Sequence, residues 1–115
     1  MKVLIAGGCG FIGSHAVRHF VESGDDVTVI DKLTYAGDRS RIDGLIDESN
    51  FGWLDICHKP SLDYAMNRWT PDVVVNFAAE THVDNSIRDC TRFVRTNFEG
   101  ASNLMTICRD LGALY

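Results

Sequence analysis

The sequence predicts an α/β fold, a doubly wound parallel sheet with helices on both faces. An apolar run at Lys2–Ala6 breaks directly into glycines and is followed by a helical pattern. A second apolar run, Asp26–Ile30, ends on Asp31. Short strands alternating with helices are typical of βαβ units and parallel sheets. At 115 residues the chain is expected to form one domain.

Four glycines fill the turn between the first strand and the helix that starts at Phe11, namely Gly7, Gly8, Gly10 and Gly13. Their spacing fits two registers, Gly8-x-Gly10-x-x-Gly13 and Gly7-x-x-Gly10-x-x-Gly13, and we favour the second, which short-chain dehydrogenase-type enzymes use. Glycines at such a turn permit a tight bend, let the backbone approach a pyrophosphate and let the helix pack closely, while the helix N-terminus offers N–H groups. A plain tight turn is the alternative.

Asp31 follows the glycines by roughly 20 residues, where an acidic residue can hydrogen-bond the ribose hydroxyls of a dinucleotide. Because a carboxylate repels a 2′-phosphate, Asp31 favours NAD over NADP. Three basic residues, Lys32, Arg39 and Arg41, lie close by in the sequence and could instead receive that phosphate. The sequence therefore predicts a dinucleotide site and favours NAD.

The remaining strands and helices complete the predicted layout. Phe51–Asp55 is expected to be a short third strand, and Pro60 can start a helix that runs to Trp69. Asp72–Phe77 is nearly continuous in apolar residues, which is typical of a central parallel strand covered on both faces. We therefore expect an incomplete Rossmann-type sheet of about four strands in the order 3-2-1-4, with its ligand crevice between strands 1 and 4.

A polar loop, Glu80–Ile87, follows the fourth strand at the sheet edge where open α/β sheets bind ligands. Asp84, Asn85 and Ser86 can also be turn and cap residues that lead into the next helix, and both interpretations can hold together.

The segment Thr91–Leu111 is predicted to be helical, with two adjoining apolar stripes. One stripe can cover the sheet, and the other would be covered by more chain or by a partner. The stripes are Val94, Phe98, Ala101, Met105 and Cys108, and Phe93, Leu104, Ile107 and Leu111.

Composition excludes several classes of protein. The net charge of −5 and the lack of a basic run argue against nucleic-acid binding. No apolar stretch is long enough to span a membrane, so we expect a cytoplasmic protein. The cysteines contain no CxxC pair, and His15 and His19 are expected to lie on a solvated helix face, so no metal site is predicted.

These motifs resemble those of the dTDP-glucose 4,6-dehydratases, extended short-chain dehydrogenases that act on nucleotide sugars. The resemblance spans nearly the whole chain and matches the amino-terminal part of that family. It rests on GGCGFIGS at Gly7–Ser14, DKLTYAG at Asp31–Gly37, DI at Asp55-Ile56, AAETHVDNSI at Ala78–Ile87 and TN at Thr96-Asn97. DKLTYAG and AAETHVDNSI are the narrower motifs, because the glycine motif is shared with epimerases and decarboxylases.

The resemblance implies NAD as the cofactor and four groups of binding residues. The groups are Gly7, Gly10, Phe11, Ile12 and Gly13 at the pyrophosphate; Asp31, Lys32, Leu33 and Thr34 around the adenosine ribose; Asp55 and Ile56 at the adenine; and Phe77, Ala78, Ala79, Glu80, Thr81 and Thr96 on the ribose and nicotinamide side. Thr81 is also implied to touch the sugar nucleotide.

The family's reaction is oxidation of the sugar at C4 by NAD, loss of water across C5 and C6, and return of hydride to C6. It uses a tyrosine with a lysine four residues later and a Thr-Asp-Glu acid/base set. Neither set occurs here, since Tyr35, Tyr64 and Tyr115 lack a lysine at that spacing. Residues 1–115 are thus expected to be the amino-terminal portion of an NAD-binding domain, without catalytic residues or a substrate domain.

Three interpretations remain open from the sequence. The chain is the cofactor-binding region of a nucleotide-sugar dehydratase, or a stand-alone NAD-binding module or subunit completed by another chain, or an interaction domain without a ligand. In each case the exposed edge of Asp72–Phe77 and the helix Thr91–Leu111 are expected to promote self-association or completion by another chain.

Overall fold

The computed structural model describes residues 1–81, 87 and 90–115, and in them four parallel strands form one sheet. The strands are β1 (Lys2–Ala6), β2 (Asp26–Asp31), β3 (Phe51–Trp53) and β4 (Val73–Asn76). Their order is β3-β2-β1-β4, as predicted. The expected turn and cap residues Asp84, Asn85 and Ser86 lie outside the described residues.

Helices cover both faces of this sheet. The helix α1 (Phe11–Glu22) joins β1 to β2, and α2 (Lys59–Trp69) joins β3 to β4. Two short 3₁₀ turns, Arg39–Ile42 and Glu48–Asn50, lie between β2 and β3. The doubly wound arrangement expected from the sequence is therefore present.

A continuous helical segment spans residues 90–111, and we call it the last helix. It consists of α3 (Cys90–Val94), a π-helical turn (Arg95–Gly100) and α4 (Ala101–Leu111). The backbone at both junctions stays in the right-handed helical region, so the π-helical turn lies inside one helix.

Alternating strand residues supply two apolar cores, one on each face. Val3, Ile5 and Val29 pack on the α1 side, whereas Leu4 and Ile30 pack on the side of α2 and the last helix. Because β1 is buried on both faces, its sequence is a continuous apolar run.

The two stripes of the last helix divide largely as expected. Leu104 and Ile107 are buried against the sheet, while Val94, Phe98 and Met105 are exposed. Two residues differ from the predicted stripes: Cys108 is buried in the core and Leu111 is partly exposed.

The third strand is shorter than the predicted Phe51–Asp55. The N–H of Leu54 still bonds the carbonyl of Asp31, at 3.1 Å. Asp55 then turns the chain, because its carboxylate accepts the N–H of Cys57 at 2.9 Å. This local hydrogen bond competes with the strand and ends it at Trp53.

The fourth strand lies at an edge of the described sheet, as the predicted order 3-2-1-4 places it. Only Val74 is buried, and Val73 and Val75 are half-buried. On its other side, Leu114 forms an isolated parallel bridge to Val73 and bonds the backbone of Asp72 and Val74. The apolar run therefore fits a strand with neighbours on both sides.

Among the described residues, no helix is both long and apolar enough to cross a lipid bilayer.

Leu104→Ala should lower the free energy of unfolding by about 2–5 kcal/mol, because it leaves a cavity in the core. Met105→Ala, one residue away on the exposed face, should change it by less than about 0.5 kcal/mol. Urea denaturation of both variants at several protein concentrations checks this. If Met105→Ala lowers the free energy of unfolding as much as Leu104→Ala does, and more so at higher protein concentration, the exposed face is covered by another molecule in solution.

Candidate nucleotide-binding cleft

The glycine turn allows α1 and β4 to approach each other at the end of β1. Gly7 has φ of +76°, and a Cβ there would lie 2.5 Å from the backbone nitrogen of Ala78. A Cβ on Gly13 would overlap the carbonyl oxygen of Gly7. Both positions therefore require glycine, the first for its φ and both for the space.

Gly8 serves the core and not the cleft. A Cβ there would lie 2.6 Å from the Cγ1 atom of Val29 and 3.1 Å from the Cγ2 atom of Val17. Gly8 therefore lets the turn pack against β2, while Gly7 and Gly10 line the open side. This separation agrees with the register Gly7-x-x-Gly10-x-x-Gly13.

The first turn of α1 is suited to an anion. Gly10 is the N-cap and provides no side chain to bond the helix's first N–H groups. The first turn also carries no acidic residue. The N-terminus of α1 thus keeps its positive partial charge, which attracts phosphate groups.

Asp31 connects this turn to the loop that follows β2. The residue is 9% exposed, and its carboxylate accepts two backbone N–H groups, from Cys9 at Oδ2 and from Leu33 at Oδ1, each at 2.8 Å. Two such bonds compensate the burial of a charge. Each oxygen keeps a further lone pair for a ligand hydroxyl.

The loop after β2 folds back tightly over Asp31. Leu33 has φ of +54°, a strained conformation for a residue with a side chain. The N–H of Gly37 bonds the carbonyl of Thr34, and a Cβ on Gly37 would lie 3.0 Å from Oδ1 of Asp31. A small residue is therefore required at the point where the loop crosses the carboxylate.

The three basic residues near Asp31 are all engaged by other groups. Lys32 pairs with Asp55 at 2.9 Å. Arg39 pairs with Glu48 at 2.8 Å and stacks over the ring of Phe51.

The third of these residues, Arg41, donates from Nη1 to the carbonyls of Cys9 and Ala36, both at 2.8 Å. It therefore joins the glycine turn to the loop after β2. None of the three side chains is left free beside the Asp31 carboxylate.

Asp55 lies on the far wall of the cleft. Partial burial alone would raise the pKa of Asp55, but the N–H of Cys57 and the ammonium of Lys32 stabilise its carboxylate and lower that pKa below the usual value. Asp55 is therefore an anion with fixed orientation at neutral pH.

Side-chain amides hold the opposite wall, after β4. Asn76 accepts the N–H of Ala78 through its Oδ1 atom at 3.0 Å, and its amide donates to the hydroxyl of Tyr115 at 2.9 Å. Glu80 pairs with Arg92 at 3.1 Å. The side-chain amide of Asn97 bonds the backbone N–H and carbonyl of Glu80.

These walls enclose one cleft at the carboxyl ends of the strands. Most residues that the resemblance implied line it: Gly7, Gly10, Asp31, Lys32, Thr34, Asp55, Ile56, Phe77, Ala78, Ala79, Glu80 and Thr96. Five others do not, namely Phe11, Ile12, Gly13, Leu33 and Thr81. Whether any of them binds a ligand stays a prediction.

Sequence reasoning missed four residues that also line the cleft: Ile30, Ala36, Gly37 and Leu54. Ala36 and Gly37 fall inside the motif DKLTYAG, so the motif contained a signal for them. The sequence contained no such signal for Ile30 and Leu54, because apolar residues at these positions are typical of any buried strand.

Within the described part of the chain, no three His, Cys, Asp or Glu side chains lie close enough together to hold a metal ion. His15 and His19 are exposed on α1.

The parallel sheet, the glycine turn and the acidic end of β2 together define a Rossmann-type nucleotide-binding domain. A family model described as GDP-mannose 4,6 dehydratase matches residues 4–114. The chain belongs to this family.

Known relatives share both sequence and fold with this chain. It is 40% identical over 111 residues to a dTDP-glucose 4,6-dehydratase from Neisseria meningitidis, which covers 94% of this chain and 31% of the relative. A UDP-glucose 4-epimerase from Thermus thermophilus, solved with NAD, superposes with a TM-score of 0.91 at 33% identity, covering 98% of this chain and 35% of that one.

A dTDP-glucose 4,6-dehydratase from Streptomyces venezuelae, also solved with NAD, superposes with a TM-score of 0.86 at 36% identity. The superposition covers 98% of this chain and 37% of the dehydratase chain. The chain therefore spans about a third of the length of the relatives that it matches.

Thiol reactivity should report on the closure of the glycine turn. Burial, reinforced by the nearby Asp31 carboxylate, raises the pKa of the Cys9 thiol to about 12. Because the thiolate is the nucleophile, Cys9 should resist iodoacetamide at about pH 8 in the folded protein, while the exposed Cys90 reacts. Mass spectrometry of the labelled peptides measures both rates, with urea-unfolded protein as the control. Equal labelling of Cys9 and Cys90 in folded protein would contradict the buried position of Cys9.

Proposed function

We propose that this chain is the NAD-binding portion of a dTDP-glucose 4,6-dehydratase-like enzyme. The observation that carries this proposal is the buried Asp31 carboxylate, held beside the glycine turn at the rim of one cleft. Two relatives with this fold were solved with NAD, which supports the same cofactor here.

The glycine turn would hold the pyrophosphate of NAD. The missing side chains at Gly7 and Gly10 leave the backbone accessible, and the first N–H groups of α1 lack a side-chain cap. Phe11 and Ile12, in the first turn of α1, would supply those N–H groups, so they could contact the phosphates although they do not line the cleft.

The ribose next to the adenine would bond to Asp31. Its two oxygens accept the N–H groups of Cys9 and Leu33, which fix their orientation, and retain lone pairs for two hydroxyls. The strained loop at Leu33 and the turn at Thr34 would surround this ribose.

We expect NAD to be preferred over NADP because the lysine and arginine side chains near Asp31 are already bonded to other groups. A 2′-phosphate would meet the Asp31 carboxylate. Of the nearby cations, Lys32 and Arg39 already pair with carboxylates, and Arg41 donates from Nη1 to two backbone carbonyls. This supports the preference for NAD over the alternative that the sequence left open.

The two walls would bind the two ends of the cofactor. Asp55 and Ile56 would contact the adenine, and the carboxylate of Asp55 can accept a hydrogen bond from the exocyclic amine of the adenine. The segment Phe77–Thr81 and Thr96 would line the ribose and nicotinamide side, with Thr81 reaching toward a sugar nucleotide.

When bound by the glycine turn and Asp31, NAD would supply the hydride chemistry of the family's reaction, in which a nucleotide sugar is oxidised at C4, loses water and is reduced at C6. The residues of this chain would bind and orient the cofactor for that reaction. Because its sequence contains no Tyr-x-x-x-Lys pair, we expect binding without turnover by these 115 residues alone. The four free thiols fit a reducing compartment, and we propose the cytoplasm.

The second candidate is an NAD-binding subunit that another chain completes. Two features favour it: the exposed apolar face of the last helix formed by Val94, Phe98 and Met105, and the edge of β4 that Leu114 only begins to cover. Self-association through Thr91–Leu111 and Asp72–Phe77 belongs to the same proposal.

Asp31→Ala should lower NAD affinity by about tenfold or more, since it removes two hydrogen bonds to a charged group. The unaltered chain should bind NAD more tightly than NADP by a similar factor. Isothermal titration calorimetry measures both, with circular dichroism to show that the variant is folded.

Asp47→Ala is the matched control, because Asp47 is an exposed carboxylate without a capping hydrogen bond. It should leave NAD affinity unchanged. A folded, unaltered chain that binds neither NAD nor NADP would refute the proposed function and favour a domain without a ligand.

A further inference from the structure

Two loops from different strands face each other across the cleft. One follows β3 and contains Asp55 and Ile56, and the other follows β4 and contains Ala78–Thr81. The last helix packs against both of them, and beside the Arg92–Glu80 ion pair its contacts include three residues spaced by three.

The first of these residues, Asn97, holds the loop after β4. Its Oδ1 atom accepts the N–H of Glu80 at 2.8 Å, and its Nδ2 atom donates to the carbonyl of the same residue at 3.1 Å. One amide side chain thus satisfies both backbone groups of Glu80, in the way that a neighbouring strand would.

The other two, Gly100 and Asn103, hold the loop after β3. The Nδ2 atom of Asn103 donates to the carbonyl of Ile56 at 3.1 Å. A Cβ on Gly100 would lie 2.5 Å from the Cγ1 and Cδ1 atoms of Ile56. Since Ile56 is itself buried, it has little room to move away.

The π-helical turn Arg95–Gly100 contains two of these three residues, Asn97 and Gly100. A π turn adds a residue to a helical turn and rotates the side chains that follow it. Here it includes Thr96, which lines the cleft, and Asn97, which holds its wall. Such turns often occur at functional sites.

We propose that Asn97, Gly100 and Asn103 are positioning residues that set the two walls of the cleft independently, Asn97 for the nicotinamide end and the other two for the adenine end of the cofactor. The proposal rests on the proposed NAD site. None of the three lines the cleft, so each acts through the loop that it holds.

The test compares two ligands, AMP and NAD, on the full 115-residue chain by calorimetry. Asn97→Ala should weaken NAD by about fivefold to tenfold, the effect of losing one or two hydrogen bonds, and leave AMP within about twofold. Asn103→Ala and Gly100→Ala should weaken AMP and NAD by the same factor, because AMP occupies the adenine end that both ligands share.

The matched control is Asn67→Ala, which removes a similar amide bond, to the carbonyl of Asp63, on α2. It should change neither affinity. For Asn97 a merely structural role would give parallel changes for AMP and NAD. For Asn103 and Gly100 it would also weaken NMN, the nicotinamide half of NAD, whose affinity should otherwise stay within about twofold. Parallel losses in Asn97→Ala, or in both Asn103→Ala and Gly100→Ala either unchanged AMP binding or weakened NMN binding, would therefore overturn the proposal.

Amide hydrogen exchange separates this inference from the proposed function. In Asn97→Ala the Glu80 N–H should exchange at least about tenfold faster, while the core amide of Ile5 keeps its rate. If the unaltered chain binds no NAD, the proposed function fails and the exchange of Glu80 still decides whether Asn97 holds the wall. An unchanged Glu80 rate would overturn that assignment.

Discussion

The buried carboxylate of Asp31 is the constraint on which the rest of the cleft depends. A charge with so little access to water is stable only if hydrogen bonds replace its hydration, and the N–H groups of Cys9 and Leu33 provide them. Those bonds fix the glycine turn and the loop after β2 relative to each other. The loop can cross the carboxylate only because Gly37 has no side chain. One acidic residue thus determines the shape of two backbone segments, the glycine turn and the loop after β2.

The opposite side of the cleft is built on a different principle. There the walls are loops that follow β3 and β4, and amide side chains of the last helix replace the missing strand contacts. Asn97 holds the backbone of Glu80, and Asn103 holds that of Ile56. The first wall therefore depends on a charged side chain bonded over 2 and 22 residues, whereas the second depends on neutral amides bonded over 17 and 47 residues.

The agreement between sequence and structure varies along the chain for physical reasons. The limits of β1 and of α1 follow from a buried apolar run and from glycines, which are strong local signals, and the structure has both as predicted. The end of β3 was wrong because the side chain of Asp55 bonds the N–H of Cys57, a local competition that an apolar pattern does not record. The π-helical turn has no periodic signature at all, because its spacing differs from the α-helix by one residue.

By itself, the sequence determined the glycine turn and the position of Asp31, since both depend on residues that are neighbours in the chain. The strand order followed from the crossover rule for βαβ units. Only the tertiary structure decided which partners Lys32, Arg39 and Arg41 bond, and that Leu114 pairs beside β4. It also decided that Asn97 and Asn103 face separate loops. These facts concern long side chains and distant segments, and their partners are chosen by packing, which a linear pattern does not contain.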